Sequence, residues 1–142
     1  MTTFWRTYFT AWTIFIMVFG LVLAGAGLPA TDAIATTIFA IVGATDIAWT
    51  PELRFATALM GAVTLGWGMT LLTAIRAAIA LGDRGAPVWR GILFAMIVWF
   101  VIDSSLSVAT GFWLNAVSNA IISAALVFGV IGSGVLGQSR TR

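Results

Sequence analysis

The chain has 142 residues, 61% of them hydrophobic and only 8% charged, and its mean hydropathy of +1.06 lies outside the range of soluble domains, in which about a quarter of residues are charged. It has no Cys and no His, which argues against thiol chemistry, disulfides, iron–sulfur or haem ligation, zinc sites and imidazole proton shuttling, so neither a metal nor a cofactor is expected. All seven basic residues are Arg and the net charge is only +2, which leaves no electrostatic footprint for nucleic acid.

A hydrocarbon core about 30 Å thick takes about 20 helical residues to cross. Four such spans with short connections use nearly the whole chain, and a single transmembrane domain over residues 1–142 is predicted. The first span is placed at about residues 7–26, with Trp5, Tyr8 and Trp12 near its start, where amphipathic rings favour the headgroup level. Arg6 before an apolar run and Ala24, Gly25 and Ala26 after it imitate a signal peptide. The run is nevertheless long enough to span, and an uncleaved first helix is expected. Gly25, Gly27 and Pro29 end it.

Residues 31–42 follow, with Thr31 as a capping candidate, Asp32 in the first turn and Ile34, Ile38, Ile41 and Val42 at helical spacing. This segment is too short to cross. An interfacial or re-entrant helix is expected, and its β-branched content leaves an extended form open. Thr50, Pro51 and Glu52 form a strong helix start, with a capping hydroxyl, proline at the first helical position and an acid near the positive dipole end. Span 2 runs from there over residues 51–81, closed by Gly82, and is long enough for Arg76 to emerge into the headgroups. Pro87 opens span 3, residues 88–110; Gly111, Phe112 and Trp113 form a tight connection; span 4 occupies residues 114–136 before a polar tail.

Counting arginines sets the orientation. A cytoplasmic N-terminus puts Arg6, Arg76, Arg84, Arg90, Arg140 and Arg142 on one side and leaves only Arg54 outside, with Asp32, Asp46 and Glu52. Both termini are therefore expected in the cytoplasm. A five-span alternative would carry Asp46 into the membrane and separate the arginines less well. The expected fold is an all-α, antiparallel four-transmembrane-helix bundle with a short segment between helices 1 and 2, in a bacterial inner membrane.

Asp103 lies in an otherwise apolar span, where an acid at a helix centre costs about 2.5 to 3.5 kcal/mol on insertion scales. Ser107 and Thr110 share its face at i+4 and i+7, while Asn115 and Asn119, with Ser118 and Ser123 nearby, mark the facing side of span 4. The short connection makes spans 3 and 4 antiparallel neighbours. Arg54 is the only cation expected on that side, and its long stem is predicted to reach down to Asp103. The expected cluster is Arg54, Asp103, Ser107, Asn115 and Asn119. Its two readings are an outward-opening ligand or ion site and a set of groups that satisfy one another and fix helix register; the second is favoured, because no chain of ionisable groups continues inward.

Small residues repeat every four positions at Ala58, Ala62 and Gly66 on span 2 and at Ala116, Ala120 and Ala124 on span 4, with one such step, Gly20 to Ala24, on span 1. Ladders of this kind let helices approach closely in lipid. Packing within the bundle is the plain reading, and self-association or docking onto a larger membrane complex is the sharper one. Trp67 and Trp99 sit at mid-span depth, away from the usual aromatic belts, and are expected to pack against glycines, with stacking on a lipophilic ligand as the minority reading.

Gly66, Trp67 and Gly68, together with WFVIDSSLSVATGFWLNAVSN from Trp99 to Asn119, resemble a group of small bacterial membrane proteins with four spans and no established activity. The likeness covers mainly spans 2 to 4, and it implies the same architecture and a role for Asp103. Taken together, the residues point to a non-enzymatic membrane protein that contacts lipid and either self-associates or serves as an accessory subunit. A small transporter, channel or binder of lipophilic ligands is the alternative.

Overall fold

Lipid offers no hydrogen bonds, so each crossing segment must close its backbone bonds within itself, and long apolar helices are the simplest solution. The computed structural model describes residues 1–137, which form five α-helices and no strand. The helices are α1 (Thr3–Gly25), α2 (Ala33–Ile41), α3 (Pro51–Ala80), α4 (Ala86–Ala109) and α5 (Trp113–Ser133). The four long segments are apolar enough to span a bilayer, and the chain is an integral membrane protein of the four-helix type.

The local chemistry explains most of the boundaries. Thr50 Oγ1 accepts from Leu53 N at 3.3 Å and Pro51 opens α3. Gly82 (φ +56°) ends it in a single 3-10 turn, Gly82–Gly85, that leads directly into α4. Gly111, at φ +89°, makes the reversal between α4 and α5. α1 begins at Thr3, ahead of the expected residue 7, because no breaker separates Thr3 from the apolar run. α5 ends at Ser133, short of 136, where Gly134 takes the left-handed conformation. The tail from residue 138, with Arg140 and Arg142, lies outside the described residues.

Segment 31–42 is helical over nine residues and not extended. Asp32 occupies the cap position without a side-chain cap bond, while Thr31 Oγ1 donates to Gly25 O at 2.5 Å. Nine residues rise about 13 Å, too little to cross. Instead α2 lies against the end of α1, with Ala35 fully buried.

α1 and α3 form the most extensive helix contact. Its seam passes through Gly20 and Gly61, where the backbones approach so closely that a Cβ on Gly20 would lie 2.5 Å from Leu65 N. Beside it, Thr57 and Gly68 are buried and Gly68 packs on Met17 and Ile16. The second close pair is α4 with α5. α1 is joined to α5 by two long-range bonds, from Tyr8 Oη to Ala125 O at 2.8 Å and from Trp12 Nε1 to Ile122 O at 3.2 Å.

The shared core lies at one end of the bundle. Phe9, Trp12 and Ile16 of α1, Leu71 and Ile75 of α3, Trp89 and Met96 of α4, and Leu126 and Val130 of α5 form one buried cluster. At the opposite end burial is local: Leu23, Thr57 and Gly61 between α1 and α3, Ala26 and Ala35 where α2 meets the end of α1, and Asn119 between α4 and α5. Met60, Val63, Ile102 and Leu106 are exposed there. These are the closed end and the polar end of the bundle.

Candidate functional site

Asp103 and Ser107 share a face of α4 one turn apart, and the three-residue connection through Gly111 brings the first turns of α5 alongside. Asp103 Oδ1 accepts from Asn119 Nδ2 at 2.6 Å, Asn115 Nδ2 at 2.9 Å and Ser107 Oγ at 3.3 Å. Ser107 Oγ has a shorter bond to the Asp103 carbonyl, at 2.8 Å, and accepts from Asn115 Nδ2 at 2.8 Å. Asn119 Nδ2 also approaches Ser104 Oγ at 3.3 Å. Asn119 is only 4% exposed, whereas Asp103, Ser107 and Asn115 are half-buried.

Hydrogen bonds to a charged group contribute about 1.5 to 3 kcal/mol each. Two short amide bonds on Oδ1 are therefore of the same size as the roughly 2.5 to 3.5 kcal/mol that an acid costs within a span. The carboxyl is accommodated by neutral donors, with no cation in contact among the described residues. All three donors converge on Oδ1, and Oδ2 takes no hydrogen bond among the described residues.

Arg54 does not join this cluster. Its Nη2 donates to Asp32 Oδ2 at 2.8 Å, its Nη1 to Ala26 O at 3.1 Å, and its guanidinium lies 5.1 Å over the Trp49 ring. The expectation that it reaches Asp103 is corrected by the packing: the first turns of α3 lie against α1, and α2 delivers Asp32 to the same level. Trp49 is fixed in turn, with Nε1 donating to Thr36 Oγ1 at 3.0 Å and its ring stacked on Phe39 at 5.7 Å. Sequence reasoning missed this second polar site. Its signal was the presence of Asp32 and Arg54 at one membrane level.

Trp67 and Trp99 meet each other, with ring centroids 5.4 Å apart, and do not pack on the glycines beside Trp67: Gly66 faces open space, and Gly68 serves the α1 seam. Of the span 2 ladder, Ala58 lies near Gly27, but Ala62 and Gly66 are exposed; the seam uses Gly61 instead, one position away from Ala62. Gly20 and Ala24 of α1 do face that seam. On α5, Ala116 is half-buried while Ala120 and Ala124 are exposed. Ser123 Oγ is buried without a hydrogen-bond partner among the described residues, beside an apolar cavity of about 320 Å³ between α4 and α5 that Leu93, Ile97 and Val127 help to line.

No family model, curated protein or solved structure matches the chain.

The chemistry of the two polar sites follows from their own groups. Among the described residues there is no set of three or more Asp and Glu side chains close enough to hold a metal ion. The Asp103 cluster offers an acceptor held by two amides and a hydroxyl, which suits either fixing helix register or receiving a donor at Oδ2. The Arg54 site offers a cation restrained from three sides.

Proposed function

We propose that this chain is a non-enzymatic protein of a bacterial inner membrane that self-associates or serves as an accessory subunit of a larger membrane complex, with both termini in the cytoplasm. The observation that carries the reading is the outward exposure of small residues that a single copy does not use, Ala62 and Gly66 on α3 and Ala120 and Ala124 on α5. In lipid, helix association is driven by close backbone approach and interhelical hydrogen bonds, and small residues permit both. The orientation is supported by Arg6, Arg76, Arg84 and Arg90 at the closed end, against Asp32, Asp46, Glu52 and a single Arg54 at the polar end.

The test is native mass spectrometry of the protein in mild detergent, with and without Ala120→Leu. A defined oligomer or co-purifying complex that the variant dissolves supports the proposal. A monomer at every protein-to-detergent ratio, indifferent to the variant, rejects it. Single cysteines at positions 46 and 84 of this naturally Cys-free chain test the sidedness, and labelling from the same side rejects the proposed orientation.

A second reading draws on Asp103 Oδ2, which takes no hydrogen bond among the described residues and suits a small lipophilic donor or a transported species. A small molecule that co-purifies with the wild type and is lost in a folded Asp103→Asn variant would put this reading first.

A further inference from the structure

We propose that the Arg54 site at the polar end binds the phosphodiester of a zwitterionic phospholipid, with the ammonium drawn to Asp32 and the other carboxylates of that end and the upper acyl chain running down α3. Two of the five guanidinium N–H donors are used, one on Ala26 O and one on Asp32 Oδ2. Nε and one hydrogen on each Nη have no protein partner among the described residues. The side chain is already held by these bonds and by the Trp49 ring, so little conformational freedom remains to be lost on binding an anion. Arginine matches a phosphate through paired N–H groups, which makes this donor set suited to that ligand.

Arg54 lines an open surface groove of about 510 Å³ together with Gly27, Trp49, Pro51, Phe55 and Ala58. That volume is within the range of about 300 to 1,000 Å³ typical of ligand sites, and far more than a bare phosphate needs. Apart from the guanidinium the walls are apolar, and Phe55, one residue along α3, is 69% exposed. A headgroup phosphate with hydrocarbon directly below it satisfies both parts of this groove; a free anion satisfies only one.

Local charge selects among headgroups. Asp32 already neutralises Arg54 at 2.8 Å, and the exposed Asp46 and Glu52 add two more negative charges at this end. An anionic headgroup meets net repulsion there. A headgroup that carries its own ammonium places a positive charge among carboxylates while its phosphate meets Arg54.

The experiment titrates delipidated protein in detergent, by native mass spectrometry, with phosphatidylethanolamine, with phosphatidylglycerol of the same chains, and with glycerophosphoethanolamine, which has the headgroup alone. Phosphatidylethanolamine is expected to bind most tightly, and Arg54→Gln to weaken it about tenfold or more. Because that change also severs the links to Ala26 and Asp32, Asp32→Asn is the second variant, which keeps the cation. It is expected to raise phosphatidylglycerol binding roughly fivefold and remove the preference for the zwitterion. Undiminished lipid binding by a folded Arg54→Gln variant overturns the proposal, as does an unchanged headgroup preference in Asp32→Asn. Equal binding of glycerophosphoethanolamine and the intact lipid overturns it too, since it would mark a site for soluble phosphate esters.

Discussion

Gly61→Ala and Gly66→Ala introduce the same methyl group on the same helix, five residues apart, and the structure assigns them opposite effects. At Gly61 the new Cβ would clash with Ala24 N and lie 2.6 Å from both Gly20 O and Leu23 C, where ordinary contact begins at 3.4 Å. These are backbone atoms that cannot rotate away, so α1 and α3 must part by about an ångström or more along their closest seam. Overpacking of this kind costs about 1 to 3 kcal/mol, against a gain of about 1 kcal/mol from replacing glycine by alanine in a helix. At Gly66 nothing lies within 4 Å of the added carbon, leaving only the gain. Unfolding of each variant in mixed micelles, followed by helical circular dichroism as SDS is added, should show Gly61→Ala less stable than wild type, by up to about 2 kcal/mol. Gly66→Ala should equal or slightly exceed wild type. Equal shifts for the two variants would refute the seam through Gly20 and Gly61.

Asn119→Ala should cost about 1 to 3 kcal/mol, because it leaves a half-buried carboxylate short of its closest donor; the coupled change with Asp103→Leu should recover much of that loss, and simple additivity in the same unfolding assay would refute the pairing. A double-mutant cycle on Arg54 and Asp32, each 19% exposed, should give a coupling of about 0.5 to 1 kcal/mol. The same cycle on Arg54 and Asp103 should be additive within about 0.5 kcal/mol, and a larger coupling would show that the two sites communicate.

The spans were legible because about 20 apolar residues in a row have few alternatives to a membrane helix. The arrangement of Asp103, Ser107, Asn115 and Asn119 was legible for a different reason: i, i+4 spacing on two helices joined by three residues leaves the polar faces almost no choice but to meet. The partner of Arg54 is not legible along its own helix, because the fold-back of α2 is what places Asp32 beside it. The packed ladder of α3 lies one position away from the expected one, at Thr57 and Gly61. Ala58, Ala62 and Gly66 satisfy a four-residue spacing as well as Thr57 and Gly61 do, and only packing against Gly20 selects the face. Trp67 and Trp99 found each other across α3 and α4, a pairing that no single-helix pattern encodes.

Confinement of the shared core to residues such as Phe9, Leu71, Trp89 and Leu126 makes the bundle mechanically asymmetric. Lateral pressure in the leaflet around the arginine-rich end meets a tightly packed wedge of aromatic and aliphatic side chains. In the opposite leaflet it meets two helix pairs, each stiff in itself but free of common packing. Thinning or crowding of that leaflet alone should therefore alter the gap between the pairs, with the Trp67–Trp99 contact near mid-membrane as the natural fulcrum.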